Sequence, residues 1–190
     1  ADGRVSVPVD FDVHTSVFVV FRNATDVKER KAPERKAPVV HAQLDGPWTV
    51  EFPFGQETFA QLTSWTEHQK DDVKYFSGEA TYRAAFAAPE AREGVVLDLG
   101  EVDDLAVVRM NGKELGTLWM RPYKIDISAA LKPGENTLEI TVVNPWKNRL
   151  VGDAQPGAKN ISTFTSQKVI KANATLKPAG LLGPVRILVE

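Results

Sequence analysis

Apolar residues fall at every second position in several stretches of this chain. Val95, Leu97 and Leu99 alternate with Val96 and Asp98; Leu138, Ile140 and Val142 alternate with Glu139 and Thr141; Tyr82, Ala84 and Phe86 alternate with Arg83 and Ala85. A period of two puts one face of a strand on a core and the other toward solvent. The apolar runs are short and are separated by Gly, Pro, Asn and Asp, which is the pattern of a sandwich or barrel with little helix. The clearest local signal is Asn111-Gly112, with Leu105 to Met110 leading in and Lys113 to Trp119 leading out. An Asn-Gly pair supplies the two positive-φ positions of a type I′ turn, so a hairpin is expected there. Asp126 to Leu131 is expected to form one helical turn, and Lys132-Pro133-Gly134-Glu135-Asn136 to turn the chain into the next strand. The last strand is expected over Val185 to Val189, after Gly183-Pro184.

One segment departs from this pattern. Glu29-Arg30-Lys31-Ala32-Pro33 is repeated at once as Glu34-Arg35-Lys36-Ala37-Pro38. It is densely charged, has two prolines and holds nothing apolar larger than Ala, so it has no face to bury and reads as an exposed linker. The linker divides the chain into residues 1–38 and residues 39–190. Within the first part, Val5 to Phe11 and Ser16 to Phe21 read as two strands, the second apolar on both faces. Two strands are too few to stand alone. They dock on the following domain or are the remnant of a preceding β-domain.

Composition removes several functions. The 190 residues carry 23 Lys and Arg against 25 Asp and Glu, a near balance that lacks the basic footprint of a nucleic-acid binder. There is no cysteine, hence no disulfide framework, thiolate zinc site or cysteine nucleophile. No apolar run reaches the length of a membrane span, and Ala1-Asp2-Gly3-Arg4 does not open an export signal, so such a signal is expected to have been removed or to lie upstream in a longer precursor. Asn-x-Ser/Thr sequons stand at Asn23, Asn160 and Asn173.

From Leu44-Asp45-Gly46-Pro47-Trp48-Thr49-Val50 onward the chain resembles the galactose-binding-like jelly rolls of glycoside hydrolases, above all the sugar-binding domain of family 2 β-galactosidases and β-glucuronidases. Gly78-Glu79-Ala80-Thr81-Tyr82-Arg83, Leu97 to Val102 with Val108 to Gly116, and Asp126-Ile127 with Lys132 to Leu138 each match a stretch of that domain. A narrower resemblance lies in Leu118-Trp119-Met120-Arg121-Pro122-Tyr123, Asn144 to Asp153 and Gly180 to Val185. These are similar to the carboxyl-terminal module of α-L-rhamnosidase-like enzymes of glycoside hydrolase family 106, and Ser16 to Phe21 resembles the strand that closes the domain before it. The resemblance implies an all-β, antiparallel jelly-roll β-sandwich over residues 39–190. It also implies a secreted protein, extracellular or periplasmic, that serves as a non-catalytic carbohydrate-binding module of a larger enzyme acting on plant or algal polysaccharide, rhamnose-containing polymers among them. The catalytic barrel of that family has no counterpart here.

The residues themselves offer no catalytic constellation. There is no Gly-x-Ser-x-Gly elbow, no phosphate-binding glycine loop and no His-Glu-x-x-His, and His14, His41 and His68 stand apart. Asp98, Glu101, Asp103 and Asp104 cluster at a strand end and a turn, where acids serve solubility and local bonding. Sugar binding has better candidates, because an aromatic ring stacks on a pyranose while polar groups read the hydroxyls. Trp119, Arg121 and Tyr123 follow one strand, and Trp146, Asn148, Arg149 and Asp153 lie in a loop after another. Other assignments stand beside this one: Trp119 and Trp146 filling the core, Arg149 and Asp153 pairing to hold the loop, or the same surface docking on the catalytic domain with no ligand of its own. Trp65 and Tyr75 lie in an irregular stretch, where Gln61-Leu62-Thr63-Ser64-Trp65 could carry a ligand aromatic, with Trp65 as a buried anchor the reading preferred. Related sandwiches hold a structural calcium ion on carbonyls and carboxylates, but no loop of the needed acidic density occurs, and no cofactor is assigned. The expected partners are an oligo- or polysaccharide and a catalytic domain, with no nucleic acid and no membrane.

Overall fold

The computed structural model describes residues 5–9, 11, 16–23, 37–90, 93–159, 161–166 and 169–189. A six-stranded sheet runs in the order β3 (Gly55–Phe59), β2 (Trp48–Phe52), β4 (Glu79–Ala87), β10 (Glu135–Val143), β7 (Leu105–Met110), β8 (Lys113–Leu118). A four-stranded sheet runs β1 (Val39–Leu44), β12 (Val185–Val189), β5 (Val95–Asp98), β9 (Lys124–Asp126). A short pair, β11 (Leu181–Gly183) with β6 (Glu101–Val102), closes one side. Every strand pair is antiparallel, and the chain is the all-β sandwich its alternation predicts.

One core fills the space between the sheets. Val50, Tyr82, Val108 and Ile140 reach it from the larger sheet, Val95, Leu97 and Ile187 from the smaller, all essentially inaccessible. The alternation is literal: β10 reads buried at Asn136, Leu138, Ile140 and Val142 and more open between them. Trp65 sits on a short 3-10 turn (Trp65–Glu67) and donates its indole N–H to the Tyr82 hydroxyl, which also accepts from the Leu181 N–H. Burial pushes the Tyr82 hydroxyl far above the usual phenol range, so it stays a neutral bridge between β4, the turn and β11. The chain passes this bridge at Gly180, where φ is +97° and a Cβ would stand 2.5 Å from the Trp65 indole nitrogen.

The hairpin forms at Asn111-Gly112 with φ of 52° and 79°, the signature of a type I′ turn. Asn111 donates through Nδ2 to the Ala130 carbonyl and to Asn136 Oδ1. Fully buried Asn136 accepts from Lys132 N–H as well and donates to the carbonyls of Lys132 and Gly134, so its polar atoms are satisfied. The helical turn expected over Asp126 to Leu131 is a 3-10 turn at Ser128–Ala130.

Two features differ from expectation. Trp146 to Asp153 is not a loop: α2 spans Lys147–Asp153, and a shorter helix, α1, spans Asp71–Lys74. At seven residues, α2 is too short for its apolar positions Leu150 and Val151 to give a readable helical period. Among the described residues, no strand precedes Val39: Val5 to Val9 and Ser16 to Asn23 lie outside any sheet, with Phe18 at 91% exposure. An extended pair without a sheet to join has no ladder to hold it. The repeat over Glu29 to Pro38 lies outside the described residues except for Ala37 and Pro38.

Candidate functional site

Trp119, Arg121 and Tyr123 occupy the crossing from β8 in the larger sheet to β9 in the smaller one, and Trp146 lies between β10 and α2. Asn144 fixes that second junction, accepting from the Gly78 N–H and donating to the Phe76 carbonyl, while the Ser77 hydroxyl donates to the Pro145 carbonyl. The two stretches are joined through a polar hub. The Tyr123 hydroxyl donates to the Asp104 carbonyl at 3.0 Å, and Lys177 Nζ bridges Asp103 Oδ1 at 3.0 Å and Asp104 Oδ1 at 2.9 Å. The backbone of the same Lys177 is gripped by Asn148, which accepts from its N–H and donates to its carbonyl.

The sequence candidates thereby separate into two groups. Tyr123 and Asn148 are buried and spend their polar atoms on the hub. Arg149 donates through Nε and Nη2 to Asp153 Oδ1, one helical turn along. Asp153 Oδ2 accepts from the Ser162 N–H, the Thr163 N–H and the Thr163 hydroxyl. Burial alone would raise the Asp153 carboxyl, but the bonds from Arg149 and Thr163 outweigh it and hold the group below the usual carboxylate range. These four residues build the frame. The second group projects from it: Trp119 is 70% and Trp146 67% exposed, and Arg121 pairs with Glu101 on the surface. Neither tryptophan fills the core.

The acidic stretch Asp98 to Asp104 is accounted for by cations and turns. Asp98 accepts from the Gly100 N–H and lies near Lys124, Glu101 holds Arg121, and Lys177 clamps Asp103 and Asp104. Burial pushes the Asp103 carboxyl up, and neighbouring Asp104 adds to the shift against the pull of Lys177. Asp103 Oδ2 and Asp104 Oδ2 are buried with no protein hydrogen bond. Lys177 thus clamps a carboxyl pair of which Asp103 is nine-tenths buried. Among the described residues, no group of three or more His, Cys, Asp or Glu is arranged to hold a metal ion.

Sequence reasoning missed Lys177, Glu101 and Thr163 as members of this region. Lys177 contacts Asp104 across 73 residues of sequence, and neither its type nor its spacing announces that. Glu101 was legible only as one acid in a cluster.

The chain is similar to several known proteins. It is 36% identical over 176 residues to a putative β-glucuronidase of Formosa agariphila, covering 76% of this chain and 15% of that protein. A rhamnosidase from Novosphingobium has a solved structure that matches with a TM-score of 0.79 at 43% identity, over 84% of this chain and 16% of that one. A Ruminococcus gnavus β-glucuronidase matches at a TM-score of 0.60 and 16% identity over 84% of this chain and 31% of that one, a likeness of fold alone. The chain thus spans about one-sixth of the length of the rhamnosidase and of the curated relative. The signature of the glycosyl hydrolase 2 galactose-binding domain-like family matches residues 62–175, more than half of the chain and most of the sandwich with its candidate site, and to that family this chain belongs.

Proposed function

We propose that this chain is a non-catalytic accessory module of a longer, secreted glycoside hydrolase, of the kind found at the carboxyl end of family 106 enzymes, and that it contacts carbohydrate through Trp119 and Trp146. The observation that carries the reading is their exposure: two indoles stand in solvent although the core closes without them. An exposed indole of fixed position offers the flat apolar face a pyranose needs, and the surface pair Arg121 and Glu101 supplies a donor and an acceptor beside Trp119 for hydroxyls. Tyr123, Asn148, Arg149 and Asp153 act through position, holding the two stretches in place. The 43% identity to a rhamnosidase supports rhamnose-containing plant or algal polysaccharide as the ligand class, and the small share of relatives' length that this chain spans supports a separate catalytic domain as its covalent partner.

The test is retention in affinity gels containing pectic or algal polysaccharide. Trp119→Ala and Trp146→Ala are each expected to lose about 1 to 3 kcal/mol of binding, roughly tenfold to hundredfold, with the fold intact. Equal retention of wild type and both variants, or no retention of the wild type on any polymer, sinks the sugar contact.

A further inference from the structure

Residues 154–180, between α2 and β11, hold no helix or strand among the described residues. A connection this long within a compact domain is uncommon and tends to carry a function of its own. It is nevertheless pinned. Asp153 takes the Ser162 and Thr163 N–H groups, Gln155 Nε2 donates to the Ala172 and Val151 carbonyls, and Asn148 holds Lys177. Between these anchors the segment turns apolar side chains outward: Ile161 is 66%, Phe164 90% and Val169 71% exposed. With Leu150, Ala154 and Ile170 they border a cavity of about 300 Å³. Among the described residues Asp153 is the one charged side chain on its wall, and both its oxygens are engaged.

Such a surface is less suited to sugar than the Trp119 surface, because Ile161 and Val169, two of its three exposed side chains, offer no flat ring for a pyranose. It is suited to a protein interface, where Phe and aliphatic side chains leave water together. Charge narrows the partner further. Residues 158–177 contain Lys159, Lys168, Lys171 and Lys177 and no Asp or Glu, in a chain whose net charge is -2. Lys177 is spent on Asp103 and Asp104; Lys159 and Lys171 flank the exposed apolar positions in sequence. The matching surface is apolar at its centre and carboxylate-bearing at its edge.

We propose that the face formed by Ile161, Phe164 and Val169 docks on the catalytic portion of the longer polypeptide, with an apolar side chain of that portion entering the cavity beside Leu150. This rests on the accessory-module reading, since relatives matching at 36% and 43% identity carry about five-sixths of their length outside the matched region. It assigns docking to side chains other than Trp119 and Trp146.

In the solved Novosphingobium rhamnosidase, the segment aligned with residues 158–171 is expected to be covered by the remainder of that chain; a segment facing solvent there overturns the proposal. In solution, this chain is mixed with that rhamnosidase carrying a deletion of its equivalent module. The wild-type chain is expected to bind, with hydroxyl-radical labelling of Phe164 falling at least about tenfold, and Ile161→Ser with Phe164→Ser together weakening binding at least about tenfold while leaving the melting temperature of the isolated chain unchanged. Binding that ignores both substitutions puts docking elsewhere and overturns this face while sparing the accessory reading. Self-association through Phe164, or capture by an acidic polysaccharide, without affinity for the catalytic portion overturns it too. Polysaccharide retention that depends on Trp119 reports on the sugar contact separately, so the two readings fail independently.

Discussion

Two pairs of tryptophans in one sandwich have opposite fates. Trp48 and Trp65 have no accessible surface, whereas Trp119 and Trp146 expose 70% and 67% of theirs. Trp48 lies within β2 on the inward phase of an alternating strand, and Trp65 is drawn in by a hydrogen bond to Tyr82 that the core itself supplies. Trp119 and Trp146 each come just past the end of a strand, where alternation no longer aims a side chain and the polar hub sets the backbone instead. Burial of an indole here follows from its placement, by strand phase for Trp48 and by a hydrogen bond to the core for Trp65, and not from the residue type.

The comparison breaks most visibly at the inner pair. Trp65→Ala is expected to destabilise by about 3 to 5 kcal/mol, because it opens a large cavity and leaves the Tyr82 hydroxyl short of a donor. Chemical denaturation measures this, and a loss below about 1 kcal/mol would mean that Trp65 does not pack as described.

Asp153 should come next. Asp153→Asn keeps the shape but removes the charge that Arg149 and Thr163 hold, with an expected loss of about 1 to 3 kcal/mol at neutral pH. The folded carboxyl titrates below its unfolded value, so its contribution is full above the ordinary carboxylate range and is lost as pH falls through the depressed value. The wild-type chain should therefore lose stability on acidification through a component that Asp153→Asn lacks, and parallel acid limbs for the two proteins would refute the assignment.

A smaller difference separates the members of the inner pair. The Trp65 indole N–H is bonded to Tyr82, while the Trp48 indole N–H is buried without a hydrogen-bond partner in the protein. Phenylalanine at either site removes similar volume, so Trp65→Phe should cost more than Trp48→Phe by about 1 kcal/mol. Equal costs would indicate that an ordered water satisfies Trp48.

These contrasts also show where sequence reading reaches. The alternation of Leu138, Ile140 and Val142 and the Asn111-Gly112 pair are local signals with direct physical causes, and the strands and hairpin follow from them. The candidate site was half legible. Trp119 and Trp146 could be singled out as aromatics past strand ends, but their exposure depends on how the polar hub sets the backbone there, through contacts that no short window contains. Asn148 and Asp153 look alike as polar residues near a tryptophan; only contacts with Lys177 and with Ser162 and Thr163, all distant from the strand ends, assign them to the frame. The helix α2 was missed because seven residues give too few turns for a period to show.

The smallest effect belongs to the outer pair. With two-thirds or more of each indole already in water, Trp119→Ala and Trp146→Ala return little apolar surface to solvent on folding, and each should change stability by no more than about 0.5 kcal/mol. The chain has four tryptophans, so fluorescence can test this directly. Iodide, which is excluded from a close-packed core, should quench a red-shifted component of the emission and leave a blue-shifted one. The double variant Trp119→Ala with Trp146→Ala should retain only the blue-shifted, iodide-resistant emission of Trp48 and Trp65, at an unchanged melting temperature. If the double variant instead melts well below the wild type, or if the wild-type emission resists iodide throughout, the outer indoles are packed against something, and the contrast between the two pairs no longer holds.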